Sequence, residues 1–227
     1  MREPTRIIDI SQPIQESSAC FPGDTAFSSK LTVSYQDSQV INLSAFTMSP
    51  HVGTHADAPI HVRGSFPNER ESAGTLPLSP FIGPAAVVDI SPWTQGIRWS
   101  QIASSLEQIE RKFCGFPKRL LFKTAQHIRY DTFEKEYAWF CPQLVPELAK
   151  RGIQLVGIDT PSVDAIDSKT LETHHALLET GIFWLENLDL TTLIMPATPV
   201  EYFLIAAPLK LMELEASPVR AVLLEFS

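Results

Sequence analysis

Cysteine is scarce in this chain of 227 residues: there are 3, Cys20, Cys114 and Cys141, with no CxxC pair. That excludes a disulfide framework and a thiolate zinc site, and leaves free thiols as the default. Basic residues are also few, 18 Lys and Arg against 26 Asp and Glu, for a net charge of −8. No run of Lys or Arg offers a phosphate-binding stripe, which excludes nucleic acid as an expected partner. No apolar run reaches the roughly 20 residues of a membrane span. The opening Met-Arg-Glu-Pro-Thr-Arg lacks the apolar core of a signal peptide. The expectation is a cytoplasmic protein with no membrane role.

Hydrophobic residues at 44% and charged residues at 19% lie in the globular range. No internal repeat or flexible linker divides the chain, so residues 1–227 read as one domain. Strand-like segments recur at Arg6–Ile10, Leu31–Tyr35, Val40–Met48, Ala85–Ile90, Arg119–Lys123, Gln154–Asp159 and Val219–Phe226. Helices are fewer. Ser100 is placed to cap one with Ile102, Leu106, Ile109 and Phe113 on a single face. A second opens at Cys141-Pro142 and runs to Lys150-Arg151, with Gly152 closing it. The mixture implies an α/β fold. Prolines crowd the loop-like stretch from Pro67 to Pro84.

Three of the six histidines and one aspartate fall in His51-Val-Gly-Thr-His55-Ala-Asp57-Ala-Pro-Ile-His61. Imidazole and carboxylate suit zinc, manganese or ferrous iron, which makes a metal hydrolase the first reading. All four positions are odd, so an extended backbone points them to one face. Full extension over ten steps would span roughly 33 Å, too far for one ion, so the segment must bend. Gly53 and Pro59 are the available hinges, and a folded loop carrying His51, His55 and Asp57 inward is expected. Elsewhere, His174 and His175 are adjacent, and Glu186 ends an apolar run where an acid is unusual unless paired or metal-bound. His127 sits among mixed polar residues and reads as a surface histidine.

These residues resemble the bacterial kynurenine formamidases, or arylformamidases, of the cyclase-like metal-dependent hydrolase family. The hallmark His-x-Gly-Thr-His-x-Asp-x-Pro-x-His is matched in full from His51 to His61. Further blocks are similar: Asp9-Ile-Ser-Gln-Pro-Ile, Phe21-Pro-Gly-Asp-Thr-Ala-Phe27, Gly157-Ile-Asp-Thr-Pro-Ser-Val-Asp164, Ser168-Lys169, His174-His175-Ala176, Pro208-Leu-Lys210 and Ala216-Ser-Pro-Val-Arg-Ala221. Residues 65 to 150 match more loosely.

The resemblance implies a swivelling β/β/α fold around a mixed sheet or barrel, and a homodimer or higher homo-oligomer. It also implies two divalent ions, usually zinc, with manganese as an alternative. His51, His55 and Asp57 would hold one; Asp57 would bridge to a second held by His174 and Glu186, with His175 outside the ligand set or structural. His61 is similar to the family's acid/base, a task that suits its near-neutral intrinsic pKa. Water activated between the ions would attack a formyl carbonyl, and His61 would give the departing aromatic amine its proton. The implied substrate is N-formyl-L-kynurenine, an aryl formamide, and the products are L-kynurenine and formate, a step in tryptophan breakdown. Phe21 stands where the family commonly has Trp, so the aromatic wall against the substrate is kept but made smaller. Phe46, Trp139 and Phe140 are further apolar candidates for the pocket, and Cys20 adjoins it. Two other readings remain: an isatin-hydrolase-like amidase on another small carbonyl compound, and a metal or small-molecule binder without catalysis.

Overall fold

A computed structural model of the chain describes residues 3–64, 69–195 and 198–226. The N-terminal half carries β1 (Arg6–Asp9), β2 (Ser28–Val33), α1 (Tyr35–Ser38), β3 (Leu43–Thr47), β4 (His55–Asp57) and β5 (Ile82–Asp89). Then come β6 (Gly96–Ile97), α2 (Trp99–Phe113), β7 (Arg119–Lys123), β8 (Trp139–Phe140), α3 (Leu144–Ala149) and β9 (Leu155–Ile158). The chain ends with α4 (Glu172–Thr180), β10 (Phe183–Glu186), β11 (Tyr202–Ile205), β12 (Ala216–Pro218) and β13 (Val222–Glu225).

Nine strands form one mixed sheet in the order β1-β13-β11-β5-β7-β9-β10-β4-β12. Its centre, β5-β7-β9-β10, is parallel, and both wings are antiparallel. An antiparallel bridge between Ser11 and Leu188 ties the segment after β1 to the segment after β10, which curls the sheet. Central strands buried on both sides need apolar residues of both parities. Leu121, Leu155 and Leu185 face the concave core with Ile10, Leu204 and Leu223. Their neighbours Leu120, Phe122, Val156 and Trp184 face the helical layer, where Ile102, Leu106, Leu148 and Leu177 cover them. Gly157 is required on the inner face, since a Cβ there would stand 2.6 Å from Leu121 and 2.7 Å from Leu188.

The expected α/β class, with a mixed sheet and few helices, is what the chain adopts. Boundaries differ. The first long helix begins at Trp99 with Arg98 as its N-cap, because the Gln101 side chain accepts from the Arg98 backbone N–H at 2.9 Å; Ser100 lies inside it. The second begins at Leu144 rather than Cys141, and Gly152 beyond it takes the left-handed φ of +77° expected of a closing glycine. Tyr35 leaves its expected strand to open α1, where the Ser34 side chain accepts from the Asp37 N–H. Of the stretch from Pro67 to Pro84, residues 67 and 68 lie outside the described residues. The remainder turns through Glu69–Glu71, Ala73–Thr75 and Ser79–Phe81 before Ile82 enters β5.

Candidate metal centre

The motif is not one folded loop: its centre is the strand β4, held between β10 and β12. Strand parity therefore does place His55 and Asp57 on one face. Pairing brings the third donor, since His55 stands directly opposite Glu186 on β10, where side chains on one face touch. Both hinges act as expected. Gly53 adopts a φ of +71° and turns the chain so that His51 folds back beside His55, and Pro59 opens a short 3₁₀ turn, Pro59–His61, that returns His61 to the cluster.

His174 arrives on α4, which packs over the same face of the sheet as Trp184 and Glu186. This helix starts at Leu171 in left-handed geometry with no side-chain cap of its own. Asp164 caps it instead, accepting from the N–H groups of Thr173 at 2.9 Å and His174 at 3.0 Å. The same carboxylate lies 2.6 Å from His174 Nδ1. That bond assigns the proton to Nδ1 and turns Nε2 toward Asp57 Oδ2 and Glu186 Oε1, each at 3.5 Å. His175, the next residue, is exposed and outside the cluster.

His55, His51, Glu186 and Asp57 each have an outer partner as well. His55 Nδ1 is 2.9 Å from the Gly53 carbonyl, leaving Nε2 facing Asp57 Oδ1 at 3.4 Å and Glu186 Oε2 at 3.3 Å. His51 Nδ1 lies 3.1 Å from His55 Nε2 and 3.2 Å from Asp57 Oδ1, while its Nε2 is 3.4 Å from Glu215. Glu186 accepts the Val163 N–H at 2.8 Å, and the Trp184 indole donates to Asp57 Oδ2 at 3.0 Å. His61 is the outermost member, 3.9 Å from Asp57 Oδ2. Glu215, Asp164 and Trp184 were not singled out from the sequence. Only Asp164 lay within a quoted block.

The electrostatics follow from packing acids and imidazoles out of water. Burial works against the charged His51, but the Asp57 carboxylate and Glu215 outweigh it and raise its pKa to about 10. His174 is pushed well above its ordinary value against burial by hydrogen bonds to Asp164, Asp57 and Glu186. Burial would raise the Asp57 carboxyl, yet the His61 and His51 imidazoles hold it well below the usual carboxylate range. His61 moves down: burial outweighs the pull of Asp57, and the ring is neutral near pH 7.

The donor set fits divalent metal. Asp57 Oδ1 is buried without a hydrogen-bond partner, because the two imidazoles beside it are close but not aligned as donors. Among the described residues, His51, Asp57 and His61 form one group of possible ligands and His55, Asp57 and Glu186 another, with Asp57 common to both. Separations of 3.1–3.5 Å match the edge of roughly 3.3 Å expected between tetrahedral ligands at about 2.0–2.1 Å from zinc. Outer partners that fix each imidazole are what metal-binding histidines require.

The cluster lies at the floor of a cavity of about 970 Å³, lined by His51, His61, His174 and Glu186 on one side and by Phe21 and Phe133 on another. Phe21 packs edge-on to Phe133 with ring centroids 5.1 Å apart, so the smaller aromatic wall is rebuilt from two rings. Tyr137 and Trp93 also line it, and burial with the nearby charge of Glu186 pushes the Tyr137 hydroxyl pKa upward. Cys20 is on the wall too. His127 is exposed, as read, but it borders the same cavity. The other aromatic candidates are elsewhere. Phe140 is fully buried against Phe122 in the core, Trp139 pairs beside it in β8, and Phe46 stacks on Phe27 in the exposed β2–β3 hairpin. Apolar strand residues answer first to packing, which carries no information about a pocket.

The family model of the putative cyclases matches residues 8–165. The chain belongs to the cyclase family. Relatives of this cyclase-family chain include a kynurenine formamidase of Bordetella avium, 41% identical and aligned over 97% of this chain and 98% of that one. A kynurenine formamidase of Bacillus cytotoxicus is 38% identical over 95% and 96%. Among solved structures, a predicted metal-dependent hydrolase from Bacillus stearothermophilus superposes with a TM-score of 0.76 at 26% identity, covering 97% of this chain and 98% of that chain. Isatin hydrolase A from Labrenzia aggregata, at 24% identity, shares the cyclase fold with a TM-score of 0.79 over 98% and 94%.

Proposed function

We propose that this protein is a metal-dependent arylformamidase that hydrolyses N-formyl-L-kynurenine to L-kynurenine and formate, a step of tryptophan breakdown. The observation that carries the reading is the near-full-length likeness to kynurenine formamidases from distant bacteria. The cavity is consistent with it, joining an aromatic wall to a floor of metal-ligand chemistry.

His51, His55 and Asp57 would hold one divalent ion, and Asp57, His174 and Glu186 would hold the second, zinc in the first instance and manganese as the alternative. When bound, the ions lower the pKa of water and polarise the formyl carbonyl. Phe21 and Phe133 hold the aryl ring over that floor. His61 Nε2 takes a proton from the attacking water as its oxygen bonds to the formyl carbon. The C–N bond then breaks, and the departing aniline nitrogen takes the proton from the His61 imidazolium. Formate and the free amine leave. A cytoplasmic setting agrees with three free thiols at Cys20, Cys114 and Cys141.

Turnover of N-formyl-L-kynurenine should stop on chelation and return with added zinc or manganese. Turnover that persists in chelator contradicts the metal assignment. Loading also displaces protons, because His51 and His174 are protonated at pH 7 in the metal-free protein and must lose those protons to become ligands. Protons should therefore be released into weak buffer at pH 7 on loading, read with an indicator dye. None would contradict the ligand assignment. The sign for the metal-free fold is the reverse of a carboxylate's. The stability that His51 gains from Asp57 is complete below 6.5 and lost as pH rises through about 10.

A homodimer buries the β2–β3 hairpin. Leu31, Val40, Leu43 and Phe46 are 57%, 73%, 53% and 66% exposed, and Lys30 and Asp37 are the only charges from 27 to 48. In a chain of net charge −8, this neutral apolar arm would meet little repulsion from a second copy. Together with Tyr35 and Ile41 it offers roughly 600 Å² of apolar side chain, close to the ~800 Å² per partner of a standard interface. Val40→Asp with Phe46→Asp should convert a dimer to monomer in light scattering. An unchanged dimer would place the interface elsewhere.

A further inference from the structure

We infer that Tyr137 and Trp93 are the hydrogen-bond donors that hold the carbonyl oxygens of the substrate, the Tyr137 hydroxyl serving the formyl oxygen; this rests on the formamidase reading. Among the described residues, three buried side-chain atoms lack a hydrogen-bond partner: Asp57 Oδ1, Trp93 Nε1 and Tyr137 Oη. The first belongs to the metal centre. The other two are donors on residues that line the cavity above it.

Leaving a buried donor unpaired is costly, so native proteins rarely keep one without a use. Two among the residues lining one cavity point to a ligand that brings two acceptors. An aryl formamide with a ketone beside the ring has two, the formyl oxygen and the ketone oxygen. Tyr137 is only 6% exposed and lines the same cavity as Glu186, His61 and His174 of the metal cluster. Its backbone is held there as well. The next residue, Ala138, offers its carbonyl to Thr160 Oγ1 at 3.0 Å, and Thr160 in turn accepts the N–H of Asn187, which follows Glu186. A donor fixed in a dry site acts most strongly on the oxygen as negative charge grows on it during water attack. No proton is transferred from Tyr137.

The test uses metal-loaded wild type, Tyr137→Phe and Trp93→Phe. Tyr137→Phe should lower kcat on N-formyl-L-kynurenine about 10²-fold, with KM and metal content unchanged. Its Tm should stay level or rise, because the hydroxyl removed had no partner to lose. Trp93→Phe should raise KM for N-formyl-L-kynurenine and leave KM for formanilide, which lacks the ketone, unchanged. A Tyr137→Phe kcat within threefold of wild type overturns the inference, and so does a fall in Tm or metal content, which would make the hydroxyl a support for the site. Equal KM changes on both substrates overturn the part assigned to Trp93. Wild type without turnover on either compound removes the formamidase reading and the inference with it; active wild type with an equally active Tyr137→Phe removes the inference alone.

Discussion

Replacing His61 with alanine is expected to lower kcat by about 10²- to 10⁴-fold while leaving the bound metal in place. The expectation rests on where this histidine stands relative to the others. His51, His55 and His174 each have one nitrogen turned inward and the other near a carbonyl or carboxylate. Among the described residues, none stands as such an outer partner to His61. It sits at the cavity edge with 27% of its side chain exposed, its ring centroid 4.6 Å from His51 and 5.5 Å from His174. Burial keeps it neutral at pH 7, whereas His51 and His174 are held charged in the metal-free protein. A neutral, reachable imidazole is what proton transfer needs. Since the pKa lies below 6.5, the acid limb of the kcat/KM profile should also fall below that value, with activity lost as pH drops and the ring protonates. Elemental analysis beside the kinetics decides the role. If the alanine variant loses metal together with activity, His61 is a ligand, completing the group it forms with His51 and Asp57.

Asp57→Asn is expected to be more severe, removing both ions and lowering kcat/KM by at least about 10³-fold. Each carboxylate oxygen faces a different set of partners, Oδ1 toward His51 and His55 and Oδ2 toward His174 and His61. An amide keeps the shape but replaces one anionic oxygen with a donor, so neither position retains its full ligand set. The metal-free protein records the same change in its titration. Without the Asp57 charge, His51 loses the strongest influence raising its pKa, and that pKa should drop well below about 10 in an NMR titration. Glu186→Gln and His174→Ala should each cost one ion of two, since both side chains are assigned to the second ion. Retention of both ions in either variant, or of one in Asp57→Asn, contradicts the bridging role.

The two halves of this centre were unequally legible in the sequence. The motif from His51 to His61 announces its chemistry through residue types alone, and its two hinges are readable because Gly53 and Pro59 have few alternative uses. The strand at its centre was hidden. β4 has three residues, two of them polar, and only pairing with β10 and β12 makes it a strand. α4 was missed for a related reason. Its start lacks a local cap because Asp164, well upstream, does that work, so the usual signal before an apolar run is absent. The central strands β5, β7 and β9 were found readily, since burial on both faces makes them continuous apolar runs. Outer partners such as Glu215 are set by three-dimensional proximity to His51 and have no signature in sequence spacing.

The account is tested most directly by incubating purified, metal-loaded protein with N-formyl-L-kynurenine and, separately, with isatin, and measuring kynurenine and formate as they form. It predicts one formate per kynurenine and turnover of the formamide far above any opening of isatin. Absence of kynurenine release with the metal fully loaded, or faster turnover of isatin, would contradict it.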